Sequence, residues 1–316
     1  MNTRKIGRSG LETPPLAFGG NVFGWTVDES TSFTLLDAFT AGGFTLIDTA
    51  DMYSTWVPGN RGGESETIIG NWLKRTGKRD SVLIATKVGN EMGPDKKGLS
   101  KNYIFQAVED SLRRLQTDYI DLYQSHRDDR DTPLEETLEV YDTLVRQGKV
   151  RAIGASNYDA DRLAQALGAS AKHGFPVYEC LQPEYNLYDR AGYEAALEPL
   201  CREKGIAVIP YYPLASGFLS GKYRSEADLN KSARGPGIKK YLNERGLRIL
   251  DALDTVAEKH GTTPAAVALA WLIARPGITA PIASATSLGQ LESLMTAARL
   301  QLDADSVKLL DTASAY

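Results

Sequence analysis

Three stretches decide the fold: GFTLIDTADMY (43–53), VLIATK (82–87) and YIDLYQSH (119–126). Each contains a short apolar, β-rich run and closes on a side chain that carries chemistry. These are Asp48, with Tyr53 in the loop behind it, then Lys87, then His126. Short apolar runs bounded by turn signals predict buried strands. As neighbouring parallel strands they would bring a carboxylate, a phenol, an ammonium and an imidazole to one face of a sheet.

The same pattern extends in both directions. PLAFGG (15–20) precedes these stretches, and VRAIGAS (150–156), YECLQPEYN (178–186), IAVIPYYP (206–213) and ITAPIAS (278–284) follow, with helical patterns between them. Eight strands alternating with helices predict an α/β fold, a (β/α)8 TIM barrel. Helix starts are expected at Glu64-Ser65-Glu66, ahead of IIGNWL, and at Thr263-Pro264, where proline suits the first helical position. TPLEETLEVYDTLVRQG (132–148) has apolar residues at helical spacing and ends on a glycine suited to a C-cap. Ahead of the first run, RKIGRSGLET (4–13) carries the Ser-Gly turn of a small β-hairpin, which could plug the bottom of a barrel. No linker or low-complexity tract interrupts the alternation, so residues 1–316 are expected to form one domain.

Composition narrows the function. A net charge of −4 offers no field for nucleic acid or an anionic membrane surface, leaving a small molecule as the expected partner. MNTRKIGRSG (1–10) lacks the apolar segment of a signal peptide and no later run is long enough to span a bilayer, so a cytoplasmic location is expected. Cys180 and Cys201 are too few for a disulfide framework, and His126, His173 and His260 lack metal-ligand spacing, so no metal site is expected.

Each residue of the constellation has a plain structural explanation by itself. Asp48 could cap a helix, and His126 could be a satisfied polar side chain. Lys87 is harder to explain away, because a lysine ending a buried strand needs a partner or water. Three such residues on consecutive strand ends, the face where barrels carry their sites, point to a common pocket. There Lys87 would lower the pKa of Tyr53 from its free value of about 10, with Asp48 holding the lysine, and the phenol would act as a general acid.

At these residues the chain resembles the aldo-keto reductase superfamily, in its bacterial type, related to the branch of the potassium-channel β subunits. GFTLIDTADMY, IATKVG (84–89), DYIDLYQSH (118–126), GASN (154–157) and YYPLASGFLSGKY (211–223) occur in the family's order. The resemblance runs from about Arg4 to Leu302 and implies a (β/α)8 barrel that reduces aldehydes or ketones to alcohols, reversibly, with hydride from a nicotinamide cofactor. It implies Tyr53 as proton donor, Lys87 and Asp48 as its relay, and His126 as the residue that orients the carbonyl.

The resemblance also implies a cofactor site. Ser156, Asn157 and Gln182 would bind the nicotinamide amide, and Tyr211 would stack on its ring. Pro213, Leu214, Ser216, Gly217 and Lys222 would also bind the cofactor, with Gly217 able to bring backbone N–H groups, and Lys222 a charge, close to the pyrophosphate. LASGFLSGKY (214–223) is not a P-loop, since three residues separate Gly217 from Gly221 and Tyr223 follows Lys222. In SATSLGQLESLM (284–295), Ser284, Thr286 and Gln290 stand where the family commonly has a cationic grip on an adenosine phosphate. NADPH is the expected cofactor, with NADH possible because that grip is missing. The polar stretch from Arg224 to Gly246 reads either as a flap over the dinucleotide or as a solvated loop.

For the substrate side, Phe23, Trp25 and Trp56 are candidate walls, or else pack the loops together. Arg127 reads as a surface ion pair, or as a partner for an anionic substrate. The alternative function is a cofactor-sensing regulatory subunit with slow turnover. A third reading is dehydratase or lyase chemistry with the same acid–base set.

Overall fold

A computed structural model describes residues 2–232 and 234–316. Ten strands are present: β1 (Arg4–Lys5), β2 (Glu12–Thr13), β3 (Ala17–Gly19), β4 (Leu46–Asp48), β5 (Leu83–Val88), β6 (Ile120–Ser125), β7 (Val150–Ser156), β8 (Tyr178–Gln182), β9 (Ala207–Val208) and β10 (Ile282–Ala283). β1 and β2 pair antiparallel as the expected hairpin. The other eight form a parallel sheet in the order β10-β3-β4-β5-β6-β7-β8-β9. Hydrogen bonds from Thr279 N to Val208 O (2.7 Å) and from Ile282 N to Pro210 O (2.9 Å) join its two edges, closing the (β/α)8 barrel. The last two strands are shorter than their apolar runs. Pro210, Pro213 and Pro281 remove backbone donors there, and a ladder cannot continue through proline.

The helices are α1 (Glu29–Ala41), α2 (Glu64–Thr76), α3 (Lys101–Leu115), α4 (Leu134–Arg146), α5 (Ala160–His173), α6 (Ala191–Glu194), α7 (Leu197–Lys204), α8 (Glu244–Lys259), α9 (Pro264–Ala274), α10 (Leu288–Ala297) and α11 (Ala304–Ser314). The expected signals operate. Glu64 opens α2, and the Thr263 side chain caps α9 by accepting from Ala266 N, with Pro264 at the first position. Gly148, at φ 73°, turns the chain out of α4, which an L side chain would resist.

Alternation along the strands creates the site. Leu46, Ala85, Leu122, Ala152, Cys180 and Ala207 form an apolar layer inside the barrel, and Ile6 and Leu11 of the hairpin segment pack into the same cluster. The hairpin therefore plugs the barrel floor, as its sequence suggested. Two residues further along three of these strands, the same inward face is polar: Asp48 on β4, Lys87 on β5 and Gln124 on β6. Gln182 occupies the corresponding place on β8. The register sets Lys87 beside Gln124, and Ser156 of β7 beside Gln182. A buried polar layer thus lies above an apolar one at the carboxyl ends of the strands.

Candidate active site

The polar layer is held by one lysine. Lys87 is fully buried, and its ammonium lies 2.5 Å from Asp48 Oδ1, 2.8 Å from Thr49 O and 2.8 Å from Tyr53 Oη. An ammonium has three protons to donate, and these acceptors use all of them. Asp48 also accepts from Gln182 Nε2 (3.0 Å) and, more weakly, from Gln124 Nε2 (3.4 Å), and Gln182 Nε2 reaches Gln124 Oε1 at 3.2 Å. Since Tyr53 Oη accepts from Lys87, its own proton must point elsewhere. Asp48 Oδ1 is available at 3.3 Å, and the cavity is the other direction.

Electrostatics here differ from the sequence expectation in one respect. Burial lifts the Tyr53 hydroxyl well above the ordinary phenol range, and the charge of Asp48 adds to the lift. The net shift is upward rather than the expected lowering, because desolvation and the nearby carboxylate outweigh what the ammonium contributes to the phenolate. Burial also lowers the Lys87 pKa, against the pull of Asp48. Tyr53 is therefore a neutral phenol that holds its proton. His126 is held neutral as well, since burial, then Lys87, then Arg127 push its pKa well below 6.5. Its ring lies 6.0 Å from that of Tyr53, and Nδ1 has no hydrogen-bond partner among the described residues.

A cavity of about 750 Å³ opens above this layer, within the range of small-molecule sites. Asp48, Tyr53 and His126 border it, as do Ser156, Asn157, Gln182, Tyr211, Pro213, Leu214, Ser216, Gly217, Lys222, Ser284, Thr286 and Gln290. Lys87 lies beneath, reaching the cavity only through Tyr53. Several of these side chains are already engaged. Ser156 Oγ donates to Gln182 O (2.9 Å), Tyr211 Oη donates to Asn157 Oδ1 (2.8 Å), and Ser284 Oγ donates to Asn21 Oδ1 (2.6 Å). Thr286 donates to Gln290 Oε1 through both its backbone N (2.9 Å) and its hydroxyl (3.1 Å). The backbone around the loop after β9 is strained, with Tyr212, Ala215 and Ser216 at φ of 52°, 47° and 58°.

Of the three aromatic walls, only Trp56 borders the cavity. Phe23 is wholly buried and stacks on Phe18 at 5.4 Å, because the short 3-10 turn Gly20–Val22 carries it into the core. Trp25 stands behind the wall, with its ring 5.6 Å from that of Trp56 and the Arg234 guanidinium 5.4 Å from it on the other side. Arg127 borders the cavity and makes no ion pair among the described residues, so the surface-pair reading fails.

Other participants were not read from sequence. Gln124 lies two residues before His126, and strand alternation could have found it. Lys231 and Arg234 border the cavity from within the 224–246 stretch, so part of it lines the site rather than lying wholly in solvent. Asp51 is buried with neither carboxyl oxygen hydrogen-bonded among the described residues, and burial, then the charge of Glu66, raise its pKa well above the usual carboxylate range.

A closed barrel bearing a phenol on a buried ammonium–carboxylate pair, at the mouth of a ligand-sized cavity, is an arrangement suited to moving a proton to or from oxygen. The chain belongs to the aldo/keto reductase family, whose model matches residues 15–315, and it is an oxidoreductase acting on carbonyl groups. It is 36% identical to the uncharacterized oxidoreductase YrpG of Bacillus subtilis, covering 98% of this chain and 95% of the relative. A probable voltage-gated potassium channel subunit beta of Arabidopsis thaliana is 32% identical, covering 94% and 91%. The aldo-keto reductase yakc [NADP(+)] of Schizosaccharomyces pombe is also 32% identical, covering 97% and 89%. Among the described residues no helix is long and apolar enough to cross a membrane.

Proposed function

We propose that the protein reduces an aldehyde or ketone to the alcohol, reversibly, with NADPH as hydride source and Tyr53 as proton donor. One observation carries the reading. The Tyr53 oxygen accepts from an ammonium whose other two protons are taken, so the phenol proton has only a long 3.3 Å contact to Asp48 to give up when it is delivered into the cavity. When bound, the nicotinamide would supply a hydride to the carbonyl carbon, leaving the negative charge on the carbonyl oxygen. Tyr53 then protonates the alkoxide oxygen, and Lys87 steadies the phenolate left behind. Neutral His126 can donate to the same oxygen and fix its position before the reaction.

The donor set suits a dinucleotide. Ser156, Asn157 and Gln182 offer hydroxyl and amide groups for a planar carboxamide, and the Tyr211 ring offers a face for stacking. Left-handed backbone at Ser216 and Gly217 resembles the turn geometry that aims N–H groups at phosphates. The cationic grip absent from 284–295 has a substitute in Lys222, Lys231 and Arg234. Arg234 has no carboxylate partner among the described residues, and burial lowers its pKa, so a phosphate there would relieve an uncompensated cation. This favours NADPH over NADH, in keeping with the name of the fission-yeast relative.

The test is oxidation of NADPH and NADH by purified protein against aromatic and aliphatic aldehydes. Carbonyl-dependent turnover, faster with NADPH, is expected. The match to a potassium channel subunit keeps cofactor sensing as the second reading. Tightly retained cofactor without appreciable turnover on any aldehyde would favour it.

A further inference from the structure

We infer that Arg127 is the specificity residue for a carbonyl substrate bearing an anionic group, a carboxylate or a phosphate, on the portion remote from the reacting carbon. The inference rests on the reductase reading above and names the substrate class of that site. Arg127 directly follows His126 in the chain, and both border the cavity. The acids beside it in sequence are engaged elsewhere. Asp128 pairs with Arg162 at 2.7 Å and with Arg130, while Asp129 accepts from Leu99 N and Thr132 Oγ1. Arg127 is left exposed, with neither an ion pair nor a side-chain hydrogen bond among the described residues.

Its surroundings reinforce the assignment. The only carboxylate among the described residues bordering the cavity is Asp48, which is buried and already paired with Lys87. Arg127 and Tyr211, the ring expected to mark the cofactor face, border the same cavity. Half-exposed Trp56 and Tyr212 also border the cavity, the Trp56 ring 6.2 Å from that of Tyr53 and the Tyr212 ring 5.1 Å from that of Tyr211. A molecule with an apolar middle, a carbonyl at Tyr53 and an anion at Arg127 matches all three. Lys222, Lys231 and Arg234 border the same cavity but come from the long segment after β9, with Arg234 over Trp25 behind Trp56. A guanidinium with free donors binds either anion through paired N–H groups, and the same chemistry is indifferent to which one the natural substrate carries.

The experiment measures kcat/KM of the wild type and of Arg127→Met with para-carboxybenzaldehyde against para-nitrobenzaldehyde, and with glyceraldehyde phosphate against glyceraldehyde. We expect the wild type to prefer at least one anionic partner. Arg127→Met should lower that preference by about 10- to 100-fold, through KM rather than kcat, as removal of a charge-assisted hydrogen bond predicts. Arg127→Lys should restore part of it. The arm that responds identifies the anion. Equal losses on charged and neutral aldehydes, or no wild-type preference in either arm, overturn the inference while leaving the reductase reading intact. Binding of benzoate to the cofactor-loaded protein, followed by tryptophan fluorescence, separates the two further. If no aldehyde is reduced but benzoate binds wild type and not Arg127→Met, the anion site stands and the reductase reading falls.

Discussion

The two walls of the cavity are built on opposite principles. On the proton-transfer wall, Asp48 and Lys87 sit on strands β4 and β5, are fully buried, and are tied to Tyr53 and Gln182 at 2.5–3.0 Å. On the wall proposed for the nucleotide's phosphates, the groups come from loops after β9 and β10. Tyr212, Ala215 and Ser216 adopt left-handed backbone there, and Lys222 is exposed to solvent. Proton transfer tolerates little displacement, so its groups belong on the stiffest part of a barrel. A cofactor must enter and leave, and segments with strained backbone and solvent-facing cations can accommodate that.

The contrast is broken most directly at Tyr53. Tyr53→Phe removes the proton and keeps the ring, so kcat/KM for carbonyl reduction should fall by about 10³-fold or more, the scale of a lost general acid. Cofactor affinity, measured by fluorescence titration, should stay within about threefold, because the lost hydroxyl acts on the reacting oxygen. A variant that keeps wild-type turnover would remove Tyr53 from the proposed role.

Lys87→Met asks whether the proton-transfer wall is also a structural element. It leaves the Asp48 carboxylate buried with no cation, at a cost of about 3 kcal/mol or more in chemical denaturation. Adding Asp48→Asn should recover much of that loss, since the stranded charge is then gone. If the single variant is as stable as wild type, the pair is not the buried charge pair described.

His126 links this wall to pH. Its pKa in the folded protein is held well below 6.5 by burial first, whereas in the unfolded chain it is ordinary. The associated stability is fully present above pH 6.5 and is lost as pH falls toward the folded value, because the unfolded chain takes up a proton that the native ring refuses. Between pH 6.5 and 5 wild type should therefore lose more stability than His126→Gln, and equal slopes would contradict a ring kept neutral.

What the sequence revealed divides along the same two walls. Asp48, Lys87 and His126 were legible because strand alternation converts chain position into direction, and a charged residue closing an apolar run stands out. Gln124 was missed because an uncharged polar residue inside such a run draws no attention. The expected lowering of the Tyr53 pKa failed because desolvation depends on packing, which no local pattern encodes. Phe23 was misassigned for a related reason: GGNVFGW reads as an exposed loop, yet one 3-10 turn sends the ring into the core. Arg234 and Lys231 were illegible as ligands, since aperiodic chain after a strand gives no rule for where its side chains land.

The nucleotide wall is probed by Arg234→Met, the smallest of these effects. Its guanidinium stands over Trp25 without a carboxylate partner among the described residues, so the substitution removes a cation and strands no anion. Stability should therefore change little, in contrast to Lys87→Met. NADPH affinity should weaken by about tenfold, the scale of one charge-assisted contact to phosphate, while NADH affinity should move by less than about twofold. Titrating both cofactors against wild type and variant separates the alternatives. If NADH weakens equally, Arg234 serves the pyrophosphate or the loop conformation, and discrimination by the adenosine phosphate must come from Lys222 or Lys231. If neither moves, the stretch from Arg224 to Gly246 is a solvated border, and the difference between the walls lies in the loop after β9 alone.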